Sequence, residues 1–544
     1  MKIINLFLLF IFLASLTFAR EVKPVKNVIL MIPDGTSIGV YSAARWYKVY
    51  NNMGDNLNID PYFTGTVSTF SSNAPIGDSA PTTSCYMTGI PSRSGYVSTY
   101  PVHDPGNDLY PVDSTMAYQP LATILEASRI ENKKATGLVV TCEFPHATPA
   151  DCAAHHYNRG NYNALAPQMA YQNLDVMFGG GNRILTDDIK QHFQNDGTTL
   201  IQNDKDAMLN YSGDNPLWAL FGDRAMPYDL DRDPEVTPSL SEMTEKAIDI
   251  LSKKENGFFL MVEGSQVDWA AHGNDPVGII TEYLAFDEAV GKAIEFAKKD
   301  GETVVVILSD HGNSGFTIGK AECKGYDKLT LEELFREVSN YKLTASGIEQ
   351  KLINVKPEEM KAEFKKHTNI DLTDEELKSL LSSKNYKEGN YMEIANSPNL
   401  THNIINIMNS RMCFGFTTGG HTGEEVLLAA YHPDGNVPMG HLKNTEINDY
   451  LFKVSGLKTT LPEMTQRIFA KHNEVFAGMK YTIENKDADI PVLVVKNKKH
   501  TLRVPAFSSV AMLNGKSFDL GSVTVYIDKN DTFYLPHDLA DKLK

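Results

Sequence analysis

The strongest constraint in this sequence is a succession of short, continuously apolar runs at 27–32, 136–141, 175–178, 258–262 and 303–308. None shows the polar–apolar alternation of a strand with one wet face, so each reads as a strand buried on both sides. Segments with helical spacing separate them. Strands of this kind alternating with helices specify an α/β fold, a central mostly parallel sheet flanked by helices. Ligands in such sheets bind outside the carboxyl ends of the strands. Asp34-Gly35 follows the first run, Glu263-Gly264 the fourth and Asp310-His311-Gly312 the fifth, so acids and imidazoles are expected along one sheet edge.

The chain has 544 residues, 42% hydrophobic and 22% charged, which suits a large buried core and excludes disordered, collagen-like and coiled-coil classes. Its net charge of −17 argues against a general electrostatic grip on nucleic acid or an anionic membrane. A phosphate-bearing ligand must therefore meet locally placed cations, from arginine or bound metal.

Lys2, the apolar run 3–18 and the small-residue ending Thr17-Phe18-Ala19 read as an export signal cleaved after Ala19. No later stretch approaches the roughly 20 apolar residues of a bilayer span. The mature chain is thus expected outside the cytoplasm, periplasmic or extracellular, with no membrane attachment. Five cysteines are too few for a disulfide framework in a chain of this length. Cys142 and Cys152 are close enough in sequence to pair, or are buried structural thiols.

Residues 321–410 are rich in lysine and glutamate, with helical spacing at 329–338 and 357–366, and read as an insertion. The core pattern resumes through 413–423 and the apolar run 426–431. Beyond about 473 short alternating segments, such as 492–495, 523–527 and 532–535, read as a small β-rich appendage. The expected organisation is a signal peptide over 1–19, an α/β domain over 20–320 and 411–472, an insertion over 321–410, and a C-terminal β domain over 473–544.

Asp268 and His272 lie four apart, on one face of a helix, with Glu263 five residues upstream. Carboxylate and imidazole are zinc ligand types, although a solvated helix start with a surface histidine has the same spacing. Asp310-His311 is either a second ligand pair or a turn. His421 in Gly419-Gly420-His421-Thr422-Gly423 sits where backbone can approach closely. All three motifs in one α/β chain favour a metal centre. Ser79, in Asp78-Ser79-Ala80-Pro81, suits the N-cap of a helix whose free N–H groups and dipole favour an anion. No Gly-x-Ser-x-Gly elbow surrounds it, so activation by metal is preferred to a hydrolase triad.

As a set, Ile32-Pro33-Asp34-Gly35, Asp78-Ser79-Ala80, His146-Ala147-Thr148-Pro149-Ala150 with Arg159, Met261-Val262-Glu263-Gly264 leading to Asp268 and His272, Ser309-Asp310-His311, and Gly420-His421-Thr422-Gly423 resemble the alkaline phosphatase family. The resemblance covers most of 27–320 and resumes over about 411–450. It implies hydrolysis of small phosphate monoesters through a phosphoserine at Ser79, with Arg159 gripping phosphate and Asp78, His146 and Trp269 beside it. It further implies two zinc ions, one on Asp268, His272 and His421 and the other on Asp34, Asp310 and His311. A neighbouring magnesium would lie on Asp34, Thr148 and Glu263, and the assembly would be a homodimer.

His146 and Trp269 depart from the best-known bacterial pattern, which has Asp and Lys there, leaving the third site open between magnesium and zinc. As structural residues they would be a buried imidazole and a packing indole. The alternatives carried forward are a phosphodiesterase, sulfatase or phosphomutase on the same metal scaffold, and a non-catalytic secreted metal or phosphate binder.

Overall fold

The computed structural model describes residues 22–383 and 399–544; the leader assigned to 1–19 and residues 384–398 of the insertion lie outside them. Ten strands form the main sheet: β1 (Asn27–Pro33), β2 (Phe63–Ser68), β3 (Ala135–Glu143), β4 (Val176–Gly180), β5 (Thr199–Gln202), β6 (Leu217–Leu220), β7 (Phe258–Gly264), β8 (Thr303–Leu308), β9 (Val426–Tyr431) and β10 (Gly440–Lys443), in the order β10-β2-β9-β8-β1-β7-β3-β4-β6-β5. The apolar runs of the sequence are the contiguous centre, β8-β1-β7-β3-β4, and pair in parallel throughout. The α/β expectation holds, with β9 as the antiparallel exception against β2 and β8. Register aligns the ends of the central strands: Pro33 lies opposite Gly264 and Met31 opposite Ile307, so the loops after β1, β7 and β8 emerge at one edge.

Alternation along the central strands divides the core between the sheet's two faces. Ile29, Met31, Val305 and Ile307 pack on one face; Val28, Leu30, Val304 and Val306 pack on the other. The 321–410 segment supplies helices Leu331–Asn340 and Met360–Thr368, matching its helical spacing, together with Ala345–Leu352, Asp374–Ser383 and Leu400–Arg411. Phe335, Ile348, Phe364 and Ile404 from these helices join the cluster that contains Ile29 and Met31, so the segment shares the main core.

Cys323 and Cys413, 90 residues apart, form a disulfide at the two ends of this segment. The Cys142–Cys152 pairing is not formed: both are buried free thiols. Cys142 ends a strand while Cys152 lies in the helix after the following turn, and their sulfurs face Glu263 and the Thr148 carbonyl respectively.

After residue 470 the chain forms a three-stranded and a five-stranded antiparallel sheet around their own apolar cluster, to which Ala164 of the main body also contributes. Lys529 caps the Tyr157 ring at 5.5 Å and Asn163 donates to Asp489 at 3.1 Å, docking this unit beside the 154–163 loop.

Candidate active site

The metal-type side chains come from loops at the aligned strand ends. Asp34 follows β1, and Gly35 next to it adopts φ +61°, which glycine tolerates at no steric cost. A Cβ at Gly35 would lie 2.8 Å from Asp268 Cβ and 2.9 Å from its Cα, so this glycine also makes room for the helix that carries Asp268. Asp268 and His272 sit on one face of a helix (α3, Gln266–Gly273), following α1 (Ser79–Thr88) and α2 (Ala147–Ala153) in chain order. His421-Thr422 pairs antiparallel with Gly312-Asn313, directly after His311. That pairing stacks the His311 and His421 rings with centroids 3.7 Å apart.

Each imidazole turns Nδ1 toward a backbone carbonyl: His272 toward Gly419 at 2.9 Å, His421 toward Gly77 at 2.8 Å and His311 toward Gly312 at 3.1 Å. With Nδ1–H donating there, the Nε2 lone pairs converge. His272 Nε2 and His421 Nε2 are 3.1 Å apart, a repulsive arrangement of two acceptors that a cation relieves. This outer bonding is the pattern that orients metal-ligating histidine. Asp268 Oδ2 lies 3.4 Å from His272 Nε2, and its Oδ1 is 3.7 Å from His421 Nε2. Asp34 Oδ1 and Asp310 Oδ2 each lie 3.4 Å from His311 Nε2.

The carboxylates are crowded and dry. Both Asp34 oxygens and Asp310 Oδ2 are buried without a hydrogen-bond partner. Burial, then the charges of Asp310, Asp268 and Glu263, push the Asp34 carboxyl well above the ordinary range. Burial likewise raises Glu263 to about 7. Burial opposes ionisation of Asp268 too, but His272, His421 and His311 bring it down to about 2. Unpartnered acid oxygens cost free energy unless a cation or proton meets them. The sets Asp34–Asp310–His311 and Asp268–His311–His421 each bring ligand atoms within 4.8 Å of one another, so these residues fit divalent metal.

Ser79 is buried, with Oγ 3.2 Å from His311 Nε2. Asp78, not Ser79, occupies the N-cap of α1, which corrects the sequence reading; Ser79 is the first helical residue. Asp78 makes no capping bond because its carboxylate is engaged elsewhere, accepting from Arg159 Nη1, from Gly95 N at 2.9 Å and from Ser94 Oγ at 3.0 Å. Burial works against this charge, yet Arg159, His421 and His311 hold its carboxyl well below the usual range. Arg159 Nη2 meets His146 Nε2 at 3.3 Å, and the His146 ring packs edge-on against Trp269 at 5.7 Å. Burial and the neighbouring guanidinium lower His146 to about 3, so it is neutral.

Thr148 is buried on α2 beside Glu263, which also accepts from Ser265 Oγ at 2.8 Å and Cys142 Sγ at 3.4 Å. The structure therefore gathers every residue singled out from the sequence around one strand-end cleft. It adds Asn313, whose Nδ2 holds Asp268 Oδ1 at 2.7 Å, and Cys142, which groups with His146 and Glu263 as metal-type ligands. Cys142 directly precedes Glu143 at the end of an apolar strand, a strand-end position comparable to those of Asp34 and Asp310.

The family model for alkaline phosphatase matches residues 25–457. The chain belongs to the alkaline phosphatase family. It is 35% identical to alkaline phosphatase 4 of Bacillus subtilis over 463 residues, 81% of this chain and 90% of that one. The cold-active alkaline phosphatase of a psychrophilic Shewanella superposes with a TM-score of 0.67 at 25% identity, over 79% of this chain and all of that one. A variant of the alkaline phosphatase from the Antarctic bacterium TAB5, with Mg bound in its M3 site, superposes with a TM-score of 0.55 at 25% identity, over 80% of this chain and all of that one. The C-terminal β unit lies beyond the family match.

Proposed function

We propose that this alkaline phosphatase hydrolyses phosphate monoesters at Ser79, through a phosphoserine that water then cleaves. The observation that carries the reading is the convergence of the His272 and His421 Nε2 atoms, with buried Asp34, Asp268 and Asp310, beside the Ser79 hydroxyl. Asp268, His272 and His421 would hold one zinc and Asp34, Asp310 and His311 the other. Divalent cations bound there supply charge that favours the Ser79 alkoxide and stabilises the oxygens of the transferring phosphoryl group.

This chain's own residues supply the rest. Ser79 Oγ attacks phosphorus, the ester P–O bond breaks and the alcohol departs; water then takes the phosphoryl group and Ser79 is restored. The first turn of α1 offers backbone N–H groups and a positive dipole end to the phosphate anion. Arg159, anchored through one arm by Asp78 and by His146 at the other, places its guanidinium to meet phosphate oxygens. A Ser–His–Asp relay is not built, because His311 turns Nδ1 to a carbonyl and meets both acids through Nε2.

The third ion belongs near Asp34, Thr148 and Glu263. The thiol of Cys142 and the imidazole of His146 beside Glu263 supply softer donors than the all-oxygen sets magnesium takes, which supports zinc there as readily as magnesium. Export to the periplasm or medium, and assembly as a homodimer, complete the proposal. Among the described residues no helix is long and apolar enough to cross a membrane.

Ser79→Ala tests the assignment. It is expected to keep its metal content while aryl phosphate turnover falls by at least about a thousandfold. Unchanged turnover would refute the nucleophile, and faster turnover of an aryl phosphodiester or aryl sulfate by the native chain would reassign the reaction class.

A further inference from the structure

A cavity of about 440 Å³ lies against α3, within the range of small-molecule sites. Trp269 and Gly273 line it, and each directly follows a metal-type residue, Asp268 and His272. Successive helix residues differ by about 100°, so Gln266, Ala270 and Gly273 turn away from the Asp268–His272 face, and Trp269 is the α3 residue that links the cavity to the reacting centre. Trp269 belongs to both places, since its indole packs against His146, the partner of Arg159.

The opposite wall comes from the insertion, through α5 (Ala345–Leu352) and α6 (Leu400–Arg411), where α4 (Pro276–Asp300) intervenes in sequence. Ile405 approaches Gly273 so closely that a Cβ there would lie 3.3 Å from its Cδ1; glycine keeps this passage wide. Met226, Pro227, Ala270 and Ile405 give the cavity an apolar lining.

Several polar groups around the cavity are already engaged. Asp275 accepts from the backbone N–H groups of Val277, Gly278 and Ala345, Asp231 from Thr344, and Gln266 donates to the Met226 carbonyl at 2.9 Å. Two are not. Trp269 Nε1–H, a donor, and Glu349 Oε1, an acceptor, are buried without a hydrogen-bond partner. The other oxygen of Glu349 accepts from Thr401, which fixes the carboxylate on the cavity wall. Leaving such groups unpaired is costly, and a ligand with a matching acceptor and donor relieves both.

We propose that this cavity is a subsite for the alcohol half of the substrate, built to take a planar heteroaromatic group that bears both a hydrogen-bond donor and an acceptor, as in a nucleoside monophosphate. The ring lies against Trp269, Glu349 accepts from the ring's donor, and the phosphate reaches Ser79. The inference rests on the phosphomonoesterase reading above and assigns the insertion a role in substrate choice.

The test uses the metal-loaded full chain, with adenosine 5′-monophosphate and glycerol 2-phosphate as substrates. Ser346→Trp, which fills the cavity from α5, and Glu349→Ala are each expected to lower kcat/KM for the nucleotide about tenfold relative to glycerol phosphate. The loss should appear in KM, with the inhibition constant of inorganic phosphate unchanged. Free adenosine should bind the native enzyme calorimetrically and fail to bind Ser346→Trp. An unchanged substrate ratio in both variants, or adenosine binding that survives filling, overturns the subsite while leaving phosphatase activity in place. A native enzyme that hydrolyses neither ester refutes the catalytic reading instead.

Discussion

At the scale of single residues, one backbone conformation decides whether the ligand set closes. Gly35 holds φ +61° and lies against the Asp268 backbone, so a side chain there meets both torsional strain and a wall that cannot rotate away. Gly35→Ala is expected to cost about 1–3 kcal/mol of stability and to displace Asp268. Zinc stoichiometry after dialysis, with the melting temperature alongside, checks it; full metal content at native stability would contradict the packing described. Asp78 teaches the converse lesson. Ser79 suits an N-cap in an isolated helix, but here the helix starts one residue earlier at Asp78, whose carboxylate pairs with Arg159 instead of capping, and Ser79 lies in the first turn with its hydroxyl near His311.

Among elements, α4 (Pro276–Asp300) carries a cap that ties the insertion to the core. Asp275 accepts from Val277 N and Gly278 N at the start of this helix and from Ala345 N at the start of α5. Burial raises its carboxyl to about 6, against an ordinary 3.8. An acid raised in this way binds a proton more readily folded than unfolded. Its contribution is therefore full below pH about 4 and is lost as pH rises through about 6. Asp275→Asn retains an N-capping side chain and removes that titration. Denaturant unfolding from pH 4 to 7 should show the variant losing less stability than the native chain across this window; parallel curves would rule the linkage out. The outer strands show why sequence patterning resolves only the sheet centre. β2, β5 and β10 are half-exposed, without the continuous apolar run that marks β1 or β8. β9 was visible as an apolar run, but its antiparallel direction depends on where the chain re-enters after the insertion.

For the whole molecule, the decisive cross-link is Cys323–Cys413, which closes 90 residues around the insertion. Closing a loop of that size removes unfolded-state entropy, so Cys413→Ala is expected to cost about 2–4 kcal/mol. A thermal melt of the native chain with and without reductant checks the same quantity, and overlapping melts would show that the bond stabilises nothing. Among the described residues of the 321–410 segment, Phe335, Ile348 and Ile404 pack in the cluster of the central strands. Loosening the segment should therefore reach the wall of the cavity beside α3 before it reaches the ligands from β1 and β8.

The sequence by itself determined the central strands, because burial on both faces leaves an unbroken apolar signature. It also marked the candidate site residues, because carboxylates and imidazoles of metal-ligand type follow the ends of those strands. Tertiary structure alone decided which nitrogen His272 and His421 present, since the Gly419 and Gly77 carbonyls that orient their rings lie 147 and 344 positions away. It alone brought Cys142 to Glu263 and Cys323 to Cys413, across 121 and 90 positions. A local pattern records what a residue is and how its neighbours repeat, whereas contacts at such separations exist only after the sheet has set the register.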